Sequence, residues 1–466
     1  MDNKFEKRYG LFTAICMVVG IVIGSGVFFK AQEILEKTGG NMQTGIAAWI
    51  VGGLVMLACV LAFAQMAQKY EKVNGVIDYA EATLGKSYAY YIGWFLTTLY
   101  YPALTMSLAW LSARFTLAFA VSVAPDFPLL IPAAQGGLAI GPECMVLTLL
   151  YLFASFAINT LSPRLAGKLQ VTTTVIKLIP LVLMAVVGII YGLVTGGLTN
   201  NFVSPPAIAP TAANPFLASV CATAFAYDGW IIATSINAEL RDAKRNLPIA
   251  LIAGSLIVIA IYVLYFIGVA GAATSAELIE HGTTVSFTHL FGNVFGNILN
   301  LFVAVSCLGT LNGVMLGCSR GIFSLAARGE GPRPEIFGEV DRNTNMSANS
   351  AVFGLGCAVL LFVYFYFSNL AKTWSGAFVF DPTELPILTT YAFYIPIFIM
   401  WMVKSKELGF FRRFLLPSLA VCAALFMIYA TILAHGIGCI WYLIVFGAIM
   451  ALGAYFKNPK TNKKGV

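Results

Sequence analysis

Twelve apolar stretches follow one another along the chain, at roughly 11–36, 43–68, 88–120, 144–161, 170–195, 215–238, 248–273, 293–327, 349–369, 385–403, 413–434 and 437–456. About 20 mostly apolar residues suffice for a helix to cross the hydrocarbon of a bilayer. A helix satisfies its own backbone there, where no water can. The expected fold is therefore an all-α polytopic membrane protein with 12 transmembrane helices. The third and eighth stretches are long enough to tilt or to extend past the bilayer. The Pro-rich region 121–143 reads as an external loop with room for a short interfacial piece.

Composition excludes the soluble alternative. Of the residues, 59% are apolar and 11% charged, against about 45–50% and about 25% in soluble domains. Such a chain cannot cover itself with polar surface in water, but in lipid its outside should be apolar too. The polar connections, about 20–25 residues at the longest, leave no room for a soluble domain. No loop resembles the phosphate-cradling lysine loop of an ATP motor. Any work of transport must then be driven by a gradient or by exchange.

The net charge of +7 is a matter of topology rather than of nucleic-acid binding. With the N-terminus inside and twelve crossings, the inner segments hold 23 of the 28 Lys and Arg residues and the outer ones three: Lys30, Lys37 and Lys372. Arg114 and Lys177 lie within spans. Cytoplasmic loops retain Lys and Arg, so both termini are expected in the cytoplasm and the protein in the cell membrane. The first apolar stretch is too long for a signal-peptide core and is read as a retained span. The nine cysteines form no CxxC pair, and the three histidines (His281, His289, His435) form no cluster along the sequence. No metal site, cofactor or catalytic residue is expected, and a membrane enzyme is disfavoured because no His, Asp or Cys cluster falls at membrane depth.

Span 1 carries its own interruption. Gly20, Gly24, Ser25 and Gly26 occupy its middle, and each glycine costs about 1 kcal/mol relative to alanine inside a helix. Close packing is the competing explanation, and it is the one adopted for Gly52-Gly53 in span 2. In span 1, Gly-Ser-Gly suits an unwound turn. The N–H groups freed there sit at the positive end of the following half-helix, where a carboxylate binds. Span 6 has a matching signal in Ala226-Tyr227-Asp228-Gly229. A charge at mid-span costs about 2.5–3.5 kcal/mol even on the gentlest scale, so Asp228 must face protein or water. Paired interrupted helices in corresponding halves point to a transporter site. Free N–H groups suit a carboxylate and freed carbonyls an ammonium, which together describe an α-amino acid.

These residues resemble the amino acid–polyamine–organocation transporters, in the L-type amino acid transporter branch, and are similar to bacterial serine/threonine and alanine/serine/cysteine exchangers. The resemblance rests on Ile23-Gly24-Ser25-Gly26-Val27-Phe28, on Phe225 through Trp230 followed by Glu239 through Pro248, on Val175 through Pro180, and on Asn312-Gly313 through Pro332. It runs in order over roughly 10–350, and the C-terminal third matches only as hydrophobic spans.

The resemblance implies one transmembrane domain with the leucine-transporter fold. That fold is a 5+5 inverted repeat (10–195 and 215–404) with helices 1 and 6 broken, followed by spans 11 and 12 (412–456). It implies that the amides of Ser25, Gly26 and Val27, beside Gly24, hold the substrate carboxylate. Carbonyls near Ile21, Phe225 and Ala226 would hold the ammonium, with Phe225 gating and Asp228 shaping the side-chain end. It further implies that Lys177 contacts the unwound part of span 1, where it argues against sodium coupling, and that Tyr262 links to this region. Tyr100 is a candidate for lining the pocket. No partner subunit is implied, since the loop after span 3 offers only Cys144. The function expected is exchange of small neutral L-amino acids, with proton-coupled uptake of cationic amino acids or polyamines as the alternative.

Overall fold

A computed structural model describes residues 7, 9–70, 75–203, 208–341, 343–344 and 346–457. Lys4, Arg8, Lys72, Arg342, Lys460, Lys463 and Lys464 of the charge count lie outside them. Among the described residues there is no strand, only one isolated bridge between Tyr9 and Leu240. Among the described residues, twelve helices are long and apolar enough to span a membrane: Leu11–Thr38, Met42–Lys69, Lys86–Val123, Gly137–Leu161, Pro163–Thr195, Pro215–Thr234, Ala243–Ala272, Thr284–Ala326, Ala348–Leu370, Pro386–Lys404, Phe411–His435 and Ile437–Phe456. An even number of crossings puts both ends of the chain on one face, here called the terminal face; the other is the distal face.

Several edges differ from the sequence expectation for local reasons. Span 7 begins five residues early, at Ala243, and carries Pro248 inside the helix. Span 8 continues back to Thr284 through a kink at Gly292, which has φ 78°. Lys30, expected outside, lies in the second half of span 1 and is buried. The Pro-rich loop holds a 3-10 turn at Ala133–Gln135 and a short helix at Gly137–Ile140. In span 3 a π turn, Leu96–Tyr100, precedes Pro102.

The core lies where spans 1 and 6 are wrapped by spans 2, 3, 5, 7 and 8. Span 3 packs along span 8 and span 2 along span 7, while span 1 touches spans 5, 7 and 8. Small residues allow this proximity. A Cβ on Gly52 would strike Thr223, and one on Gly53 would lie 2.8 Å from Ile259. This pair packs helix on helix, as the sequence suggested.

Candidate functional site

Both interruptions are present. The first half of span 1 ends at Val22, and Ile23 turns extended (φ −74°, ψ 95°). The helix restarts at Gly26 after Ser25. Span 6 is α-helical over Pro215–Ala226. It then turns through Tyr227 and Gly229, whose φ of 92° is left-handed, before a 3-10 segment, Trp230–Glu239. The two breaks face each other. A Cβ on Gly26 would sit 2.7 Å from Ala226 Cα, and one on Gly229 would sit 3.1 Å from Ile21 Cγ2. Only glycine permits both contacts.

The hydrogen bonding of the first break is lopsided. Breaking the helix frees carbonyls on one side and N–H groups on the other. Side chains from neighbouring spans take nearly all the carbonyls. Lys177 Nζ donates to Gly20 O at 2.7 Å, to Ile23 O at 2.6 Å and to Thr310 Oγ1 at 2.9 Å. Thr310 Oγ1 lies 3.0 and 2.8 Å from the same two carbonyls. Ser306 Oγ donates to Gly24 O at 3.1 Å. Tyr262 OH lies 3.1 Å from both Val22 O and Ala226 O, so it bridges the two breaks.

The N–H groups receive no such help. Among the described residues, the backbone N–H groups of Gly24, Ser25, Gly26 and Val27 have no acceptor, and Ile21 O has no donor. All these residues are buried. A buried unpaired polar group costs about 1–3 kcal/mol, and four adjacent N–H groups give this spot a local excess of donors. The half-helix Gly26–Thr38 adds the positive end of its dipole.

A small cavity of about 20 Å3 lies between the breaks, lined by Ile21, Gly24, Ser25, Gly26, Phe225 and Asp228, with Leu104, Leu108, Thr310 and Val314 among the other walls. Asp228 Oδ1 accepts from Tyr100 OH at 2.6 Å, and its Oδ2 is buried without a partner. One side of the cavity is thus rich in donors. The other carries acceptors in Ile21 O and Asp228 Oδ2.

The residues singled out in the sequence divide into four groups. Ile21, Gly24, Ser25, Gly26, Phe225 and Asp228 line the cavity. Val27 and Ala226 stand behind it through backbone groups, and Lys177 and Tyr262 hold the breaks open from outside. Tyr100 does not line the cavity; it is buried and orients Asp228. Sequence reasoning missed Ser306, Thr310, Leu104 and Leu108. The first two have a legible signal, since Ser306, Thr310 and Gly313 recur at helical spacing in span 8 and so share one face.

The two faces of the membrane are sealed unequally. On the distal side Phe225 packs on Phe29, with ring centroids 5.9 Å apart. Lys30 Nζ lies 5.5 Å from the Phe225 ring and pairs with Glu33 at 2.6 Å and with Glu384. Burial opposes charge on Glu384, yet Lys30 and His435 beside it hold its carboxyl below the usual carboxylate range. On the terminal side a vestibule of about 560 Å3 opens among Tyr9, Thr13, Arg164, Lys168 and Arg320. A narrower cavity past Met17, Gln170 and Asn312 shares Tyr9 and Thr13 with it and leads inward toward Gly313, whose Cβ would touch Ile21. The Phe29–Phe225 contact and the Lys30–Glu384 pair thus lie on the distal side of the breaks, and the two larger cavities lie toward the terminal face.

Twelve helical spans around a doubly interrupted pair, with a cavity and unpaired polar groups at the breaks, define a membrane transporter. The chain belongs to the amino acid permease family, whose model matches residues 9–455. It is an amino acid transporter of the amino acid–polyamine–organocation superfamily. It is 27% identical over 448 residues to the serine/threonine exchanger SteT of Bacillus subtilis (strain 168), covering 94% of each chain. It is 27% identical over 361 residues to the Asc-type amino acid transporter 1 of Mus musculus, covering 76% of this chain and 65% of that one. Against the large neutral amino acids transporter small subunit 2 of Homo sapiens it is 26% identical over 351 residues, covering 74% and 62%.

Proposed function

We propose that the protein exchanges small neutral L-amino acids across the cell membrane, by alternating access and without sodium. The observation that carries this is a cavity lined by Gly24, Ser25 and Gly26, whose N–H groups and that of Val27 behind them are unpaired, and by Ile21 and Asp228, whose Ile21 O and Asp228 Oδ2 are unpaired. In this reading the amides of Gly24 through Val27 take the carboxylate, Ile21 O takes the ammonium with Phe225 and Ala226 nearby, and Asp228 meets a side-chain hydroxyl. The close walls of Leu104, Leu108 and Val314 favour a small side chain. SteT, similar along nearly the whole chain, bears the name of a serine/threonine exchanger.

Lys177 supports sodium independence, because its ammonium occupies the oxygen cluster of Gly20, Ile23 and Thr310 that a sodium ion would require. The Lys and Arg bias assigns the terminal face to the cytoplasm. Cys144 is buried, which supports a single-chain transporter over one tied to a partner by a disulfide at that position. The breaks in spans 1 and 6, five spans apart, support repeats over 10–195 and 215–404.

Counterflow in proteoliposomes tests the proposal. Labelled serine should enter only vesicles preloaded with amino acid, equally in sodium and in choline buffer, and unlabelled alanine, serine and threonine should compete. Entry into empty vesicles driven by a proton gradient, with competition by lysine or putrescine, would favour the alternative in which the unpaired Asp228 oxygen meets a cationic side chain.

Tyr262→Phe removes one donor from two carbonyls, a loss of about 0.5–1.5 kcal/mol per hydrogen bond. The affinity for serine should fall about tenfold with the protein still folded, as measured by scintillation proximity binding.

A further inference from the structure

The sequence held no metal signature, yet the fold assembles a set of ligand groups on the distal face. Cys221, Glu384 and His435 each offer one atom, and these atoms lie within 4.8 Å of one another. They come from three separate elements: the first half of span 6, the turn before span 10 and the last residue of span 11. Cys221 is buried, while Glu384 and His435 keep 12% and 17% side-chain exposure, enough for entry from the distal water.

The three groups fit one class of ion. A thiolate, an imidazole and a carboxylate are the ligand types of zinc, with bonds of about 2.0–2.3 Å. Tetrahedral bonds of that length put ligand atoms roughly 3.5 Å apart, so side-chain rotation over about 1 Å closes the set. His435 Nε2 already stands 3.0 Å from Glu384 Oε2, and an ion would insert between them. Lys30 is bonded to the other oxygen, Oε1, so the carboxylate can serve both cations at once. Thr431 Oγ1, 3.9 Å from Cys221 Sγ, is a buried polar neighbour of the set. Binding would turn the Cys221 thiol into a thiolate and release its proton to the distal water.

The position gives such an ion a consequence. Cys221 rides on the same half-helix as Phe225, and Glu384 is the partner of Lys30. Distal access to the cavity requires Phe225 to leave Phe29 and Lys30 to leave Glu384. An ion bonded to Cys221 and Glu384 ties the half-helix to the turn before span 10 and opposes that movement. We propose that Cys221, Glu384 and His435 form a site for a divalent cation of the zinc class that holds the distal side closed.

Two readouts separate the site from its effect, and the first does not depend on the transport reading. Co2+ titrated into purified protein should raise a thiolate-to-cobalt absorption in the near ultraviolet, displaced by Zn2+ and lost in Cys221→Ser and in His435→Gln. In proteoliposomes, Zn2+ applied to the distal side should inhibit exchange, reversed by chelator. Cys221→Ser should keep metal-free exchange while the half-inhibiting Zn2+ concentration rises about tenfold or more. An unchanged cobalt band in Cys221→Ser, or no band in the parent, overturns the site. Equal Zn2+ inhibition of parent and Cys221→Ser overturns the clamp.

Discussion

Gly26→Ala should reduce amino acid exchange to background while the protein still inserts and purifies as a single species. The residue begins a half-helix, where alanine is intrinsically about 1 kcal/mol better than glycine, so local propensity predicts a gain. The tertiary contact predicts the reverse. The added Cβ would meet Ala226 Cα at 2.7 Å and Ala226 Cβ at 2.8 Å. The first is backbone and cannot rotate away, and overpacking of this kind costs about 1–3 kcal/mol. Relief comes only if the two breaks separate, which would disperse the four N–H groups from the acceptors opposite. Gly447→Ala in span 12 is the control, since a Cβ there meets nothing within 4 Å, and it should exchange at the parental rate. The measurement is counterflow at equal reconstituted protein. A Gly26→Ala rate above half the parental one would show that the contact does not govern the site.

Lys177→Met should lower exchange by about 100-fold. The side chain is fully buried and satisfies Gly20 O and Ile23 O, while Thr310 has a single hydroxyl proton to share between them. Methionine fills similar volume and leaves at least one broken-helix carbonyl without a donor, at about 1–3 kcal/mol each. The upper end of that range corresponds to about two decades in rate. Lys177→Arg should not rescue, because the planar fork of guanidinium does not replace a compact ammonium in a fully buried slot. Thr310→Val should lose less, since the ammonium remains to serve both carbonyls. Initial rates of counterflow, with binding of labelled serine measured in parallel, check these expectations. Exchange by Lys177→Met within fivefold of the parent would remove the lysine from the working machinery.

What was legible in the sequence was legible for reasons of solvent. A span must be apolar for about 20 residues whatever surrounds it, so twelve helices and their alternation could be counted directly. Gly-Ser-Gly and Asp-Gly at mid-span are costly in lipid, so they stood out without an alignment. Edges slipped where a breaker did not break, as at Ala243, where the helix runs through Pro248 instead of starting at it.

The position of Tyr100 behind Asp228 was not legible, because one buried tyrosine looks like any other until its hydroxyl finds a partner 128 residues away. Thr310 was missed because threonine at mid-span satisfies itself so often that only its spacing with Ser306 and Gly313 marks it.

By itself the sequence determined that this chain lives in a membrane, crosses it twelve times and interrupts two helices where polar groups must meet something. Only the tertiary structure decided what they meet. It placed Lys177, Thr310, Ser306 and Tyr262 on nearly every freed carbonyl and left four N–H groups, Ile21 O and one oxygen of Asp228 without partners at a cavity lined by Ile21, Gly24, Ser25, Gly26 and Asp228. It also joined Cys221, Glu384 and His435 across three elements. Hydrophobicity acts residue by residue and is written along the chain. Hydrogen bonds between spans depend on distances of about 3 Å, and only the packed bundle sets those.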